Sequence, residues 1–254
     1  MKHLGLLIGL LFCTLVGFPQ TKVVAHRGFW KTDGSAQNSI AALRKADSIA
    51  CYGAEFDVYL TADNQLVIHH DRSRNGVSMI TDSICKITSM ILKNGETVPT
   101  LDAYLSTARQ FKNGTRLILE IKSLGDERRE KLSAALVVDK LASYNLMEQT
   151  DVISFSKVAC LEVIRLAPQM RVQYLEGDLS PKELKDLGFV AADYEMDVFR
   201  QHPEWIQECH QLGLEVNVWT VNKEEDLREF IDQGVDFITT NEPVLLQHIL
   251  KTSN

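Results

Sequence analysis

Cysteines at metal or redox spacing are missing from this chain of 254 residues: its five cysteines include no C-x-x-C pair and no zinc-ligand pattern. Basic residues are also short. The formal charge of -7 argues against bulk nucleic-acid binding, because a protein that neutralises many backbone phosphates carries a basic surface. Any phosphate recognised here would be met locally, by a few basic groups rather than a basic surface. A dinucleotide fingerprint is absent too, since His26-Arg27-Gly28-Phe29 lacks the G-x-G-x-x-G spacing. No stable membrane span is expected either. The apolar run from Leu4 to Phe18 is too short for one, and after Met1-Lys2-His3 it fits the basic and apolar regions of a signal peptide.

Residues 1–20 are therefore read as a cleaved leader, with cleavage around Gly17 to Thr21, and residues 21–254 as a single domain. Phe12 before Cys13 suits a lipoprotein cleavage site poorly, so an exported, periplasmic or secreted protein is expected rather than a lipid-anchored one. The remaining Cys51, Cys85, Cys160 and Cys209 fall mostly on expected helices far apart in sequence and are read as free buried thiols. A hydrophobic content of 45% allows a large core, in one α/β domain or two smaller ones. Nothing in the sequence speaks to oligomeric state.

From Lys22 onward, β-rich runs alternate with helical patterns. Asn38-Ser39 opens a helix that Gly53 ends, Ser180-Pro181 opens one closed at Gly188, Pro203 one closed at Gly213, and Asn222 caps one closed at Gly234. The runs between are Val23–Arg27, Ala54–Tyr59, Arg116–Lys122, Val152–Ser156, Val172–Gly177, Phe189–Tyr194, Val216–Thr220 and Phe237–Thr240. About eight βα units is the count of a TIM (β/α)8 barrel; an open doubly wound sheet is the alternative. A further run, Leu66 to His70, follows so tight a turn that it must pair antiparallel, an extra hairpin strand after the second barrel strand. Residues 72–99 lack a clear period and form a small insertion over the barrel mouth. The charged run from Gly125 to Glu130 is read as the solvated start of a helix.

Glu55 and Asp57 lie two apart in one run, so their side chains share a strand face, and Glu120-Ile121-Lys122 repeats the spacing. An isolated acid in a strand is usually a surface residue. Three of matching parity between Phe56, Val58, Leu119 and Ile121 imply a cation or a strong pairing network, because an unpaired buried carboxylate costs several kcal/mol. All-oxygen ligands suit Mg²⁺ or Ca²⁺. Arg27 and Lys122 place positive charge on the same rim, for phosphate or, in the case of Lys122, simply to neutralise Glu120 or Asp57. His26 and His70 are the candidate acid and base, with Asp71 able to orient His70 and His69 pointing away from it. Trp219 either walls a polyol pocket, with Phe29 and Trp30 at the entrance, or packs a barrel end.

In order, His26-Arg27-Gly28, Asn38-Ser39, Glu55-Phe56-Asp57-Val58, Thr61-Ala62-Asp63, His70-Asp71, Val98-Pro99-Thr100-Leu101, Leu119-Glu120-Ile121-Lys122, Val218-Trp219-Thr220-Val221-Asn222 and Thr240-Asn241-Glu242-Pro243 resemble the glycerophosphodiester phosphodiesterases, from about Val23 to Leu250. The resemblance implies a TIM barrel with a small insertion and one divalent cation, Mg²⁺ or Ca²⁺, on Glu55, Asp57 and Glu120. It further implies phosphate contacts from Arg27 and Lys122 and acid/base work by His26 and His70. The expected substrate is a small glycerophosphodiester, hydrolysed to sn-glycerol 3-phosphate and an alcohol. Gln37 stands where many members carry Glu, which leaves the metal triad intact but changes the pocket beside it. Competing readings are a lysophospholipase D or phospholipase C-like enzyme on intact lipids, and a catalytically silent phosphopolyol-binding protein.

Overall fold

The computed structural model describes residues 20–252. The leader read at the N-terminus, with Cys13 inside it, lies outside the described residues. Among the described residues the chain alternates strand and helix, and eight parallel strands close into a barrel. These are β1 Lys22–Ala25, β2 Gly53–Leu60, β6 Arg116–Ile121, β7 Thr150–Ser154, β8 Arg171–Tyr174, β9 Ala191–Glu195, β10 Glu215–Trp219 and β11 Phe237–Thr240. Pairing of β1 with both β11 and β2 closes the ring. Strand β3, Leu66–Ile68, pairs antiparallel outside it on β2. The TIM-barrel expectation and the hairpin strand both hold. No described helix is long and apolar enough to cross a membrane.

Two hydrophobic layers follow from strand alternation. Ala54, Phe56, Val58, Leu117, Leu119 and Ile121 face outward into the main core under the helices. A smaller cluster of Val24, Ile118, Ile153, Leu175 and Phe237 fills the barrel interior, with Tyr52, Phe155 and Trp219 packed against it. The inward parity that places Ile118 in the lumen also carries Glu120 inward, since they sit two apart on β6.

The helices begin largely as the capping residues direct. Ser39 caps α1, Ile40–Ser48, by accepting from the Ala42 amide, and Ser180 forms a full capping box on α6, Pro181–Leu187, which Gly188 ends in the left-handed conformation. Two details differ. A short helix α7, Met196–Gln201, precedes α8, Glu204–Gln211, where a single helix was read. Asn222 caps nothing: α9, Glu224–Asp232, starts after Lys223 without a side-chain cap. The Asn222 amide oxygen instead accepts from the Asn241 amide at 2.8 Å, holding the end of β11.

Residues 72–99 hold a two-stranded ribbon, β4 Ser73–Arg74 and β5 Val77–Ser78, and a short helix α2, Ile84–Thr88. The insertion is tied down at both sides. Glu96 accepts from the Ile40 and Ala41 amides at the start of α1, where a carboxylate also meets the positive end of the helix. Arg129, in α4 (Glu127–Ser143), donates to the carbonyls of Ile80, Leu60 and Thr61. The charged run that opens α4 is thus more than a solvated start, because Glu130 is buried and accepts from Ser123, Ser156 and two backbone amides. Cys51, Cys160 and Cys209 are free and buried; Cys85, on α2, is free but exposed.

Candidate active site

At the C-terminal mouth of the barrel, Glu55, Asp57 and Glu120 are all buried, and one oxygen from each lies within 4.8 Å of the others. Register explains the meeting: Asp57 stands opposite Glu120 across β2 and β6, and Glu55 lies two residues back on the same face. Lys122 reaches over the pair, its Nζ 3.1 Å from Asp57 Oδ1 and 2.8 Å from Glu120 Oε1. The second contact lacks hydrogen-bond geometry, which leaves Glu120 Oε1 without a hydrogen-bond partner.

Charge is unequally settled among these acids. Burial opposes ionisation of Asp57, yet Lys122, His70, the Asn38 amide and Arg27 together hold its carboxyl well below the usual range. Burial and the charges of Asp57 and Glu120 push Glu55 well above it. Burial and Asp57 raise Glu120 to about 8 against the pull of Lys122. Three buried acids with one lysine between them, two reluctant to ionise, form a site that lacks positive charge. An all-oxygen donor set of this kind fits a hard divalent cation.

The turn after β1 frames the site. Arg27 and Gly28 both take positive φ, 57° and 74°. A Cβ at Gly28 would stand 2.7 Å from the Ala42 carbonyl carbon, so only glycine allows α1 to pack so close. The turn directs the Arg27 amide to Glu55 Oε2 at 2.7 Å and its Nη1 to Gln37 Oε1 at 2.8 Å. Arg27 Nε lies 3.8 Å from Asp57 Oδ2 and has no hydrogen-bond partner. Asn38, also at positive φ (59°), donates to Asp57 Oδ2 at 2.7 Å and accepts from the Asp57 amide.

His26 Nδ1 lies 2.9 Å from Asn241 Oδ1, and the Trp30 indole lies 3.1 Å from the same oxygen. An indole N–H can only donate, so that atom of Asn241 is the acceptor and His26 Nδ1 carries a proton. In the neutral ring this leaves Nε2 as a lone pair, 4.0 Å from Glu55 Oε2. Burial and the neighbouring Arg27 lower the His26 pKa to about 4. His70 Nδ1 is 2.9 Å from Asp71 Oδ1, which orients that ring. His69 turns instead to the Asp71 carbonyl.

A cavity of about 130 Å³ runs from these groups into the barrel, walled by Trp219, Phe155, Leu175 and Ile153. Trp219 meets Phe155 edge-on at 5.5 Å and donates its indole N–H to the Asp193 carbonyl. A second cavity of about 400 Å³ lies between the β1 loop and the insertion, lined by Trp30, Gln37, Asn38, His70, Arg74 and Lys93 among others. His70 belongs to both. Of the residues read from sequence, His26, Arg27, Glu55, Asp57, His70, Glu120, Lys122 and Trp219 thus converge, and Gln37 stands one contact away on Arg27. Phe29 lines neither cavity: its ring packs against the main core, because the Arg27–Gly28 turn interrupts strand alternation. Sequence reasoning assigned no role to Asp193 or Phe155 and saw Asn38 only as a helix start.

A family model described as the glycerophosphoryl diester phosphodiesterase family matches residues 26–245. A glycerophosphodiester phosphodiesterase of Caldanaerobacter subterraneus is 30% identical, with 91% of this chain and 98% of that protein aligned. The crystal structure of a glycerophosphodiester phosphodiesterase from Parabacteroides distasonis superposes with a TM-score of 0.91 at 48% identity, over 93% of this chain and 99% of that one. A phosphodiesterase from Oleispira antarctica, solved in complex with the product sn-glycerol-3-phosphate, shares the fold with a TM-score of 0.77 at 23% identity, over 91% and 97% of the two chains.

Proposed function

This chain belongs to the glycerophosphoryl diester phosphodiesterase family, and from that premise we propose that it hydrolyses glycerophosphodiesters to sn-glycerol 3-phosphate and an alcohol, with metal assistance and histidine acid/base catalysis. The observation that carries the reading is the buried triad of Glu55, Asp57 and Glu120 set between two histidines, each anchored through Nδ1. These three carboxylates would hold one divalent cation, Mg²⁺ or Ca²⁺. When bound, it supplies positive charge against the developing charge on phosphoryl oxygens and makes a nearby hydroxyl more acidic.

The chain's own groups do the rest. Arg27 and Lys122 bind the phosphodiester oxygens, the unpartnered Arg27 Nε being free to donate. His26 presents an unprotonated Nε2 on the metal side and accepts the proton of the attacking hydroxyl, either water or the substrate's own glycerol hydroxyl; in the second case the cyclic phosphate that forms is then opened by water to give sn-glycerol 3-phosphate. His70, at the junction of the two cavities, delivers a proton to the departing alkoxide, which leaves toward the wider cavity. Asp71 keeps its ring aimed. The apolar wall with Trp219 shields the glycerol side from bulk water, strengthening every charge interaction nearby.

The deciding measurement is a coupled glycerol 3-phosphate assay across several glycerophosphodiesters, with chelator and with Mg²⁺ or Ca²⁺ restored. Turnover that chelator abolishes and metal restores is expected. Binding of glycerol phosphate without turnover under any metal would overturn the reading.

A further inference from the structure

Below the carboxylate triad, on β9, Asp193 is 0% exposed and only half satisfied. Asn217 spends both amide hydrogens sideways, on Asp193 Oδ1 at 2.7 Å and on Thr239 Oγ1 at 2.9 Å. Asp193 Oδ2 has no hydrogen-bond partner, and both Asp193 and Thr239 line the catalytic cavity. Buried polar atoms without partners are rare and call for an occupant. Nothing in the reaction chemistry above uses this one.

The surroundings restrict what the occupant is. The walls beside it are Trp219, Phe155, Leu175 and Ile153, and the space is about 130 Å³, enough for a few heavy atoms. A phosphate held at the mouth by Arg27 and Lys122 would leave a short carbon chain against the Trp219 wall, its far end at the floor. We propose that Asp193 and Thr239, positioned by Asn217, form a hydroxyl-recognition subsite for the terminal hydroxyl of the substrate's glycerol, the one farthest from phosphorus. This rests on the glycerophosphodiesterase reading. Burial, with the Glu120 charge adding to it against the Asn217 hydrogen bond, keeps the Asp193 carboxyl well above the carboxylate range. An uncharged acid both donates and accepts, which matches a hydroxyl and carries no charge to attract an ammonium group. The subsite therefore reads the polyol, and head groups are left to the wider cavity.

The test compares sn-glycero-3-phosphocholine with the analogue whose terminal CH₂OH is CH₃, the secondary hydroxyl kept, by choline release in the presence of Mg²⁺ or Ca²⁺. In the unaltered protein the analogue should lose about 100-fold in kcat/KM, since a site built to bond a hydroxyl is left with unpaired groups. Asp193→Leu should lower kcat/KM for glycerophosphocholine about 100-fold and leave the analogue within about threefold. Asp193→Asn, which keeps a donor and an acceptor, should preserve at least about tenfold discrimination. Should the Leu variant fail to fold, Thr239→Val, close in shape, is expected to cut the discrimination about tenfold. Equal turnover of the two substrates by the unaltered protein, or parallel losses on both in the variants, overturns the subsite. Turnover of neither overturns the glycerophosphodiesterase reading itself, and the subsite with it.

Discussion

At the N-terminal end of the barrel interior, Asp151 accepts from Arg116, Arg171 and Gln173, and Arg171 also reaches Glu215. Two guanidiniums there face two carboxylates, with near-complete pairing. At the opposite end Glu55, Asp57 and Glu120 share Lys122 and a more distant Arg27, and two of the three acids resist ionisation. Both ends bury charge in one barrel. The floor is neutralised by the chain itself and holds strands in register; the mouth is left short of positive charge, a deficit a cation and an anionic substrate's partners can use. The proposed function sits where pairing is incomplete.

The comparison breaks most visibly if the mouth proves dispensable. Glu55→Ala removes one of the three proposed ligands and should lower kcat/KM by about 10²- to 10³-fold, the scale lost when a charge-stabilising group is deleted. Isothermal titration should show the metal response gone as well. Normal metal titration in that variant would sink the triad assignment.

At the floor the expectation is reversed. Asp151→Ala leaves Arg116 without a carboxylate and Arg171 with Glu215 alone, and should cost about 3 kcal/mol of stability, as removing one partner of a buried pair does. Per folded molecule, kcat should stay near normal. Urea melts paired with activity normalised to folded protein check this, and a large loss of kcat with unchanged stability would erase the contrast.

Proton linkage offers a third handle. Glu120 titrates near 8 in the folded, metal-free chain against an ordinary value of 4.5, so between these limits the folded state holds a proton that the unfolded chain has released. Metal-free stability contributed by this group therefore declines as pH rises through that window. Asp57 acts oppositely: its depressed carboxyl adds stability above its ordinary 3.8, lost only as pH falls. A cation competing with the protons on Glu120 and Glu55 gains affinity with pH, by at least about tenfold per unit below about pH 8. Calorimetry in buffers of differing ionisation heat would count the released protons. Glu120→Gln should make the profile shallower by about one proton, and a pH-independent affinity in the unaltered protein would contradict it.

Much of this was legible in the residues because strand parity is a rigid rule: once Glu55 and Asp57 are placed on one strand, their shared face follows, and eight strand runs separated by capped helices leave little choice of architecture. His70 was legible for a related reason, since a turn as tight as Thr61–Gln65 allows only an antiparallel return. Parity failed where the backbone leaves extended geometry. Arg27, Gly28 and Asn38 adopt positive φ, so neither the inward aim of Asn38 nor the outward aim of Phe29 follows from alternation. Asn222 read as a helix cap because its neighbours carry that pattern, while its true partner, the Asn241 amide, comes from the bend that follows β11. Asp193 lay in an expected strand with inward parity, but one acid among Ala191, Ala192 and Tyr194 is ordinary until its neighbours across the barrel are known.

The smallest expected effect concerns Gln37, whose Oε1 accepts from Arg27 Nη1. Gln37→Glu would turn that contact into a charge-assisted bond and bring a further negative charge toward the mouth. Stronger anchoring of Arg27 favours preorganisation. The added charge, however, neutralises part of the guanidinium proposed to bind the phosphate. These oppose each other, so KM should rise only about threefold, with kcat within about twofold, a net change below about 1 kcal/mol. Steady-state kinetics on one glycerophosphodiester at fixed metal would read it. A KM left unchanged would mean that Arg27 binds phosphate through Nε with its Nη1 contact to residue 37 electrically silent. A KM raised by orders of magnitude would mean that the mouth tolerates no further negative charge, and that the neutral Gln37 is itself part of how the site holds its anion.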